Sequence, residues 1–242
     1  MSGQYQCMVL DYPTSQGVEE MMFAFSFVGF RVDRIWTDDL VSNRLEQDQL
    51  CLRYKVIALP SFLSIRSRWL ALHIDRIFGW NLKRFVERGG LILGVGASMD
   101  SLVHLDLFGD ELSVHRKRNP LTEESWVNVS PTGSKCEWLK GSGSLTLPID
   151  SEEPTLVVSD SSRVELEGRL QRLGMSCLKK EGFGEPDAVL LEKTMGLTDA
   201  TGRILSTFLE PQYAVQMGSQ HLIGTGPGAV VFQNALRAAQ AS

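Results

Sequence analysis

The feature that most constrains this chain is an apolar run that breaks at glycines and continues at once with helical spacing. Residues 91–95 are apolar, residues 94–98 form a glycine-rich break, and leucines at helical spacing follow from Leu102. This pattern predicts a buried strand that turns sharply into a helix. In α/β enzymes such an elbow often carries the nucleophile, but here it contains no cysteine.

Strand and helix patterns alternate in the part of the chain that precedes this elbow. The predicted strands are residues 6–10, 30–36 and 53–59, and the predicted helices are residues 18–28, which end at Gly29, and residues 69–88. Apolar strands that alternate with helices of this length favour a mostly parallel sheet covered by helices on both faces. We therefore expect an α/β fold in one domain, residues 1–242.

The middle of the chain is richer in short β-patterns separated by Gly, Ser and Pro. Residues 125–129, 136–139 and 144–149 predict a small β-rich addition at the margin of the sheet, and residues 155–158 continue it. Residues 163–173 are polar enough to be helix or loop. Further along, the predicted elements are strands 188–191 and 203–208, a tight turn at 196–202 and a terminal helix at 229–239.

The charge balance excludes several partners. The 242 residues carry a net charge of -5, and the basic stretch 115–118 is interpreted as a solvated loop, so neither nucleic acid nor an anionic membrane is an expected partner. Four scattered cysteines without paired spacing are typical of reduced cytoplasmic thiols. His, Cys and carboxylate side chains do not recur at metal-ligand spacing, so we expect no metal and no cofactor.

The order of motifs resembles the glutaminase subunit of phosphoribosylformylglycinamidine synthase, a class I (triad) glutamine amidotransferase. That family has an A-F-x-x-A-G-x-x-V-D segment, an L-P-G-G-F-S strand end, the elbow L-G-x-C-N-G-x-Q, and G-x-x-D-x-x-G-R-x-L followed by M-P-H-P-E-R. The corresponding segments here begin at Ala24, Leu59, Leu93, Gly196 and Phe208. The resemblance implies the flavodoxin-like fold of these amidotransferases and a role in purine biosynthesis beside a large ATP-dependent synthetase subunit.

The catalytic positions depart from the family pattern. Glutamine hydrolysis needs an elbow thiolate, a histidine that moves its proton and a carboxylate that orients the histidine. The resemblance places these roles on Gly96, Glu210 and Gln212, and it places the paired oxyanion glycines on Ser61 and Phe62. The chain is therefore predicted to be a non-catalytic pseudo-glutaminase that acts as a binding or structural subunit.

Other interpretations of the same residues remain open. Ser98, with Asp100 and Glu210, could form a repurposed hydrolase, although Ser98 lies where a hydroxyl usually caps a helix. The old pocket could also bind a glutamine-like ligand without turnover. Gly94 and Gly96 could begin a dinucleotide loop, but Met99 replaces the third glycine, and unusual backbone angles at the elbow explain both glycines more simply.

Overall fold

The computed structural model describes most of the chain outside several loops and the middle region. The described residues are 5–39, 52–62, 67–78, 81–108, 112–118, 125–131, 135–149, 152–159, 171–175, 188–190, 194–217 and 224–241. Their helices are α1 (Val18–Val28), α2 (Ser67–Phe78), α3 (Asn81–Glu87), α4 (Ser98–His104) and α5 (Ala229–Ala241), with short 3₁₀ helices at Glu137–Leu139 and Pro211–Ala214.

The strands number sixteen among these residues. They are β1 (Gln6–Asp11), β2 (Ser15–Gln16), β3 (Arg31–Trp36), β4 (Val56–Leu59), β5 (Ser61–Phe62), β6 (Leu91–Val95), β7 (Leu112–Arg118), β8 (Ser125–Pro131), β9 (Leu145–Ile149), β10 (Glu152–Ser159), β11 (Gln171–Met175), β12 (Ala188–Leu190), β13 (Thr194–Thr198), β14 (Ile204–Thr207), β15 (Gln216–Met217) and β16 (Gly224–Thr225).

The central sheet has the order β3-β1-β4-β6-β14-β13-β11-β8-β9. Strands β3, β1, β4, β6 and β14 are parallel, whereas β13, β11, β8 and β9 add an antiparallel margin. A second antiparallel sheet has the order β12-β10-β7. The predicted α/β architecture and its β-rich addition are confirmed. The bounds 1–242 for a single domain stay a prediction.

Both faces of the parallel strands are buried, as the continuous apolar runs predict. Leu91 and Leu93 of β6 join a core with α1 and α5, while Ile92 joins a second core with α2, α3 and α4. Gly29 ends α1 in the left-handed conformation, with φ of 111°. Phe25 lies at the centre of the first core, where its ring packs edge-to-face on Phe30 and Phe232.

Five predicted elements are corrected by the structure. The basic stretch 115–118, expected as a loop, lies in strand β7 because it pairs with β10. The turn expected at 196–202 starts only after Thr198, because residues 196–198 pair with β14 as part of strand β13. Residues 136–139 do not form a strand; Glu137–Leu139 is a 3₁₀ helix because the Trp138 indole is buried and donates a hydrogen bond to the carbonyl of Arg203 (2.9 Å). Residues 69–88 are two helices, α2 and α3, and residues 79–80 between them lie outside the described residues. The segment 163–173 ends in strand β11, and its first eight residues are likewise outside.

We expect the two described cysteines to stay unmodified in the folded protein. Cys7 and Cys136 are buried, and burial raises the pKa of the Cys136 thiol to about 11 and that of Cys7 well above its usual value. Because these pKa values exceed the unfolded value, thiol protonation contributes stability that is complete below about pH 9 and is lost as the pH rises toward 11. Peptide mass spectrometry after iodoacetamide treatment at pH 8 should find both thiols unlabelled without denaturant and labelled in it.

Candidate functional site

The candidate site lies at the carboxyl edge of the parallel strands, where their ends meet. Strands β1, β4 and β6 are sheet neighbours, and the chain leaves them at Tyr12, Pro60 and Gly96 respectively. The chain that follows β14 adds Glu210 and the 3₁₀ helix Pro211–Ala214. In open α/β sheets this edge is the place where ligand sites form.

Gly96, Ser61 and Glu210 converge on one point. Gly96 has a φ of +56°, so its backbone adopts the left-handed conformation that other residues rarely reach. A β-carbon placed on Gly96 would collide with Oγ of Ser61, would lie 2.7 Å from the Ser61 β-carbon and 3.4 Å from Oε1 of Glu210. The structure thus brings together three of the positions that the resemblance selected. Gly94 differs, because a β-carbon there would meet Leu102 at 2.5 Å, so close packing explains it.

The Ser61 side chain occupies the space beside the elbow. Ser61 is fully buried, and its Oγ accepts a hydrogen bond from the Ala97 N–H (3.2 Å). Ser61 and Phe62 form β5, which pairs with β2, and the buried Phe62 ring packs edge-to-face on Tyr12 with centroids 5.2 Å apart. The two residues therefore form a short packed strand here instead of a glycine loop with free N–H groups.

Gln212 is buried beside the start of α1. Its side chain is only 3% exposed, and its Nε2 lies 3.2 Å from the point that a β-carbon of Gly17 would occupy. Neither Nε2 nor Oε1 has a hydrogen-bond partner among the described residues. A neutral amide at this position cannot supply the charge that orients a catalytic histidine.

Ser98 is held in a buried hydrogen-bond triangle. Its hydroxyl donates to the carbonyl of Pro60, the Tyr12 hydroxyl reaches the same carbonyl (2.5 Å), and the two hydroxyl oxygens are 2.8 Å apart. Burial raises the pKa of Tyr12 well above its usual range, so this phenol is not a base. The expected helix-capping role of Ser98 is wrong: α4 begins at Ser98 itself, has no side-chain cap, and the hydroxyl turns back toward Pro60.

Replacing Ser98 by alanine should be a modest structural change. The two hydroxyl protons support two hydrogen bonds among the three oxygens. The variant loses one of them while Tyr12 still satisfies the Pro60 carbonyl, so we expect the free energy of unfolding to fall by about 1 kcal/mol. Urea denaturation of the wild type and the variant measures this. Asp100, the other residue of the alternative hydrolase on α4, is also buried. A loss of hydrolase turnover in S98A without a change in fold would contradict a purely structural role for Ser98.

The histidines do not assemble with these residues in the described part of the chain. His73 stacks on Trp69 with centroids 3.9 Å apart, and His104 is exposed at the end of α4. The His115 side chain and His221 lie outside the described residues. Within the described ranges there is also no group of three His, Cys, Asp or Glu side chains that could hold a metal ion. The described helices include none long and apolar enough to cross a membrane.

Sequence reasoning missed Tyr12 and Pro60 as partners of Ser98. Both sit in segments that predict only turns, and their approach to Ser98 spans 86 and 38 residues of chain. A tyrosine and a proline directly after two buried strands were the available signal, because adjacent parallel strands deliver their following residues to one edge.

Comparison with solved structures identifies the fold. A chain of the PurLQS structure from Thermotoga maritima matches with a TM-score of 0.62 and 18% identity over 96% of this chain and 98% of its own. A glutamine amidotransferase from the same organism matches with a TM-score of 0.51 and 12% identity over 86% of this chain and 76% of its own. The chain has the glutamine amidotransferase fold.

Sequence similarity points in the same direction as this glutamine amidotransferase fold. The phosphoribosylformylglycinamidine synthase subunit PurQ of Dehalococcoides mccartyi is 23% identical over 95% of this chain and 96% of its own length. No protein-family model matches the chain. The chain is thus similar to PurQ over nearly its whole length.

Proposed function

We propose that this chain is a non-catalytic, PurQ-like subunit that keeps the amidotransferase scaffold without glutaminase chemistry. The observation that carries the proposal is the elbow: Gly96 stands at its apex, and the Ser61 side chain fills the space that a nucleophile there would need. A glycine has no side chain with which to attack an amide, so a covalent route through this position is chemically closed.

The neighbouring groups do not replace the missing chemistry. Glu210 can accept a proton, but the position it faces carries no nucleophile. Gln212 is a neutral amide beside α1, and the Ala97 N–H that could serve an oxyanion is already bonded to Ser61. A substrate carbonyl would therefore find neither an attacking group nor a free pair of donors at this elbow.

The preserved scaffold suggests an assembly role in the cytoplasm. The relatives it resembles are named as synthase subunits, and the matched Thermotoga maritima chain comes from a PurLQS structure. We propose that this chain docks on a large ATP-dependent synthetase subunit, while free ammonia or a second, intact glutaminase supplies the nitrogen. The docking surface would keep its shape, while the residues of the former active site would be free to change because they no longer catalyse glutamine hydrolysis.

Affinity purification of the tagged chain from its own organism, at native expression level, tests this assembly role. We expect a large purine-pathway synthetase subunit to co-purify in stoichiometric amount. Recovery of no partner, or of an unrelated one, would contradict the docking role and would mean that the scaffold serves another purpose.

The repurposed hydrolase ranks below this proposal. Its nucleophile, Ser98, is fully buried, and its hydroxyl proton is engaged by the Pro60 carbonyl. An esterase and amidase screen of the wild type against S98A discriminates the two functions, because only a hydrolase loses turnover in the variant. Binding of a glutamine-like ligand without turnover would instead appear as a thermal shift with glutamine.

A further inference from the structure

A second candidate site lies one strand away from the elbow, at the topological switch point of the sheet. The chain passes from β1 through α1 to β3 on one side, and from β4 through α2 and α3 to β6 on the other. The helices of these two connections pack into different cores on opposite faces of the sheet. Ligands of open α/β sheets bind outside the carboxyl ends of the strands at such a reversal. Here β2 pairs with β5 across the ends of β1 and β4, so the start of α1 is the part of this edge that is considered next.

The start of α1 lies beside Gln212 and has no side-chain cap of its own. Helix α1 has 11 residues, and its N-cap is Gly17 in the left-handed conformation, which has no side chain with which to cap the first turn. The first N–H groups of a helix have no partner within the helix, and together with the helix dipole they attract anions. The first turn carries two carboxylates, Glu19 and Glu20. Glu19 is paired with Arg34 at 2.7 Å, which compensates its charge, and Glu20 is exposed to solvent, which screens its charge.

A buried, unpartnered amide points at this helix end. Gln212 is 3% exposed, its Nε2 lies 3.2 Å from the β-carbon position of Gly17, and both of its polar atoms lack partners in the described part of the chain. The Thr14 hydroxyl oxygen, in the loop that leads into α1, is also buried and unpartnered. Buried polar atoms that bind nothing are costly, so their presence here calls for a missing partner.

We infer that the N-terminus of α1, the loop before it and the Gln212 side chain form a binding site for inorganic phosphate. The helix N–H groups and the Gln212 Nε2 can donate to phosphate oxygens. The Gln212 Oε1 needs a donor, which hydrogenphosphate supplies and an acceptor-only anion does not. Tyr213, 42% exposed with its hydroxyl 2.7 Å from the β-carbon position of Gly17, stands at the solvent side.

The site adjoins the elbow, because Gln16 pairs with Ser61, but phosphate binding needs no glutaminase chemistry and is tested independently of the proposed function. Glu210 faces Gly96, whereas Gln212, two residues later, faces Gly17. The 3₁₀ helix Pro211–Ala214 therefore connects the former catalytic position to the phosphate site.

Titration with inorganic phosphate, at constant ionic strength adjusted with chloride, tests the site by calorimetry and thermal unfolding. We expect saturable binding and a rising melting temperature in the wild type. Replacing Gln212 by leucine should weaken phosphate binding at least tenfold without lowering the melting temperature of the phosphate-free protein, because leucine removes the unpartnered amide at similar volume. The matched control, Gln233→Leu on the half-buried side of α5, should bind phosphate as the wild type does.

Two further titrations decide the chemistry of the ligand. Sulfate has the same shape but no hydroxyl proton at neutral pH, and acetate offers a carboxylate, so both should bind at least tenfold more weakly than phosphate. Equal binding of sulfate or acetate would overturn the assignment to phosphate. Absence of saturable phosphate binding in the wild type, or unchanged binding in Q212L, would overturn the site itself.

Discussion

Substituting cysteine for Gly96 is expected to destabilise the protein by about 2–5 kcal/mol and to leave it without glutaminase activity. About 1–2 kcal/mol comes from forcing a side chain into the left-handed conformation, since φ is +56°. Overpacking against Ser61 adds about 1–3 kcal/mol, because the new β-carbon collides with the Ser61 Oγ. Urea unfolding of the wild type, G96A and G96C measures the cost.

Three companion variants separate the backbone strain at Gly96 from the collision with Ser61. Gly141 has a φ of +70° but nothing within 4 Å of its β-carbon position, so Gly141→Ala isolates the backbone term. Ser61→Gly removes the colliding side chain, and the double variant G96A/S61G should be at least about 1 kcal/mol more stable than the two single costs predict. If G96A lowers the free energy of unfolding no more than G141A does, the space at the elbow is open and Ser61 does not fill it.

Truncating Phe25 to alanine is expected to be the most damaging single change in the core, at about 3–5 kcal/mol. Phe25 is fully buried, and its ring packs edge-to-face on Phe30, Trp138 and Phe232 with centroids 5.5, 6.4 and 4.9 Å away. The cavity would separate α1 from α5 and from the segment that Trp138 anchors. Chemical denaturation monitored by circular dichroism provides the measurement.

A matched control lies on the same helix. Phe27 is 41% exposed and touches the equally exposed Phe23 ring, so Phe27→Ala should cost less than about 1 kcal/mol. Similar losses in the two variants would mean that the first core is not closely packed. That result would contradict a scaffold preserved for docking, because docking needs a rigid surface.

Local patterns were sufficient for the parallel half of the fold. The apolar runs that become β1, β4 and β6, and the cap at Gly29, follow from strand burial and from the left-handed preference of glycine. Local patterns failed at residues 136–139, where a strand was predicted and a 3₁₀ helix is found. The Trp138 indole there donates to the carbonyl of Arg203, 65 residues away along the chain. No local period encodes such a contact.

The site was predictable only in part, for the same reason. Family resemblance selected Gly96, Ser61 and Glu210, and the structure places them around one point. The destination of the Ser98 hydroxyl and the burial of Gln212 beside Gly17 depend on contacts between distant segments. Residue type predicted a cap at Ser98 because serine favours caps, but α4 begins at Ser98 itself and the hydroxyl points back to donate to the Pro60 carbonyl instead of accepting from a helix N–H.

Glutamate release from glutamine is the most direct test of the central claim that this scaffold has lost glutaminase chemistry. The purified chain should be assayed alone and with its synthetase partner, with an intact PurQ as the positive control. Because the chain lacks a nucleophile at Gly96, we expect no glutamate above the protein-free blank under either condition. Steady release that scales with the concentration of the chain and falls in Glu210→Gln would contradict it.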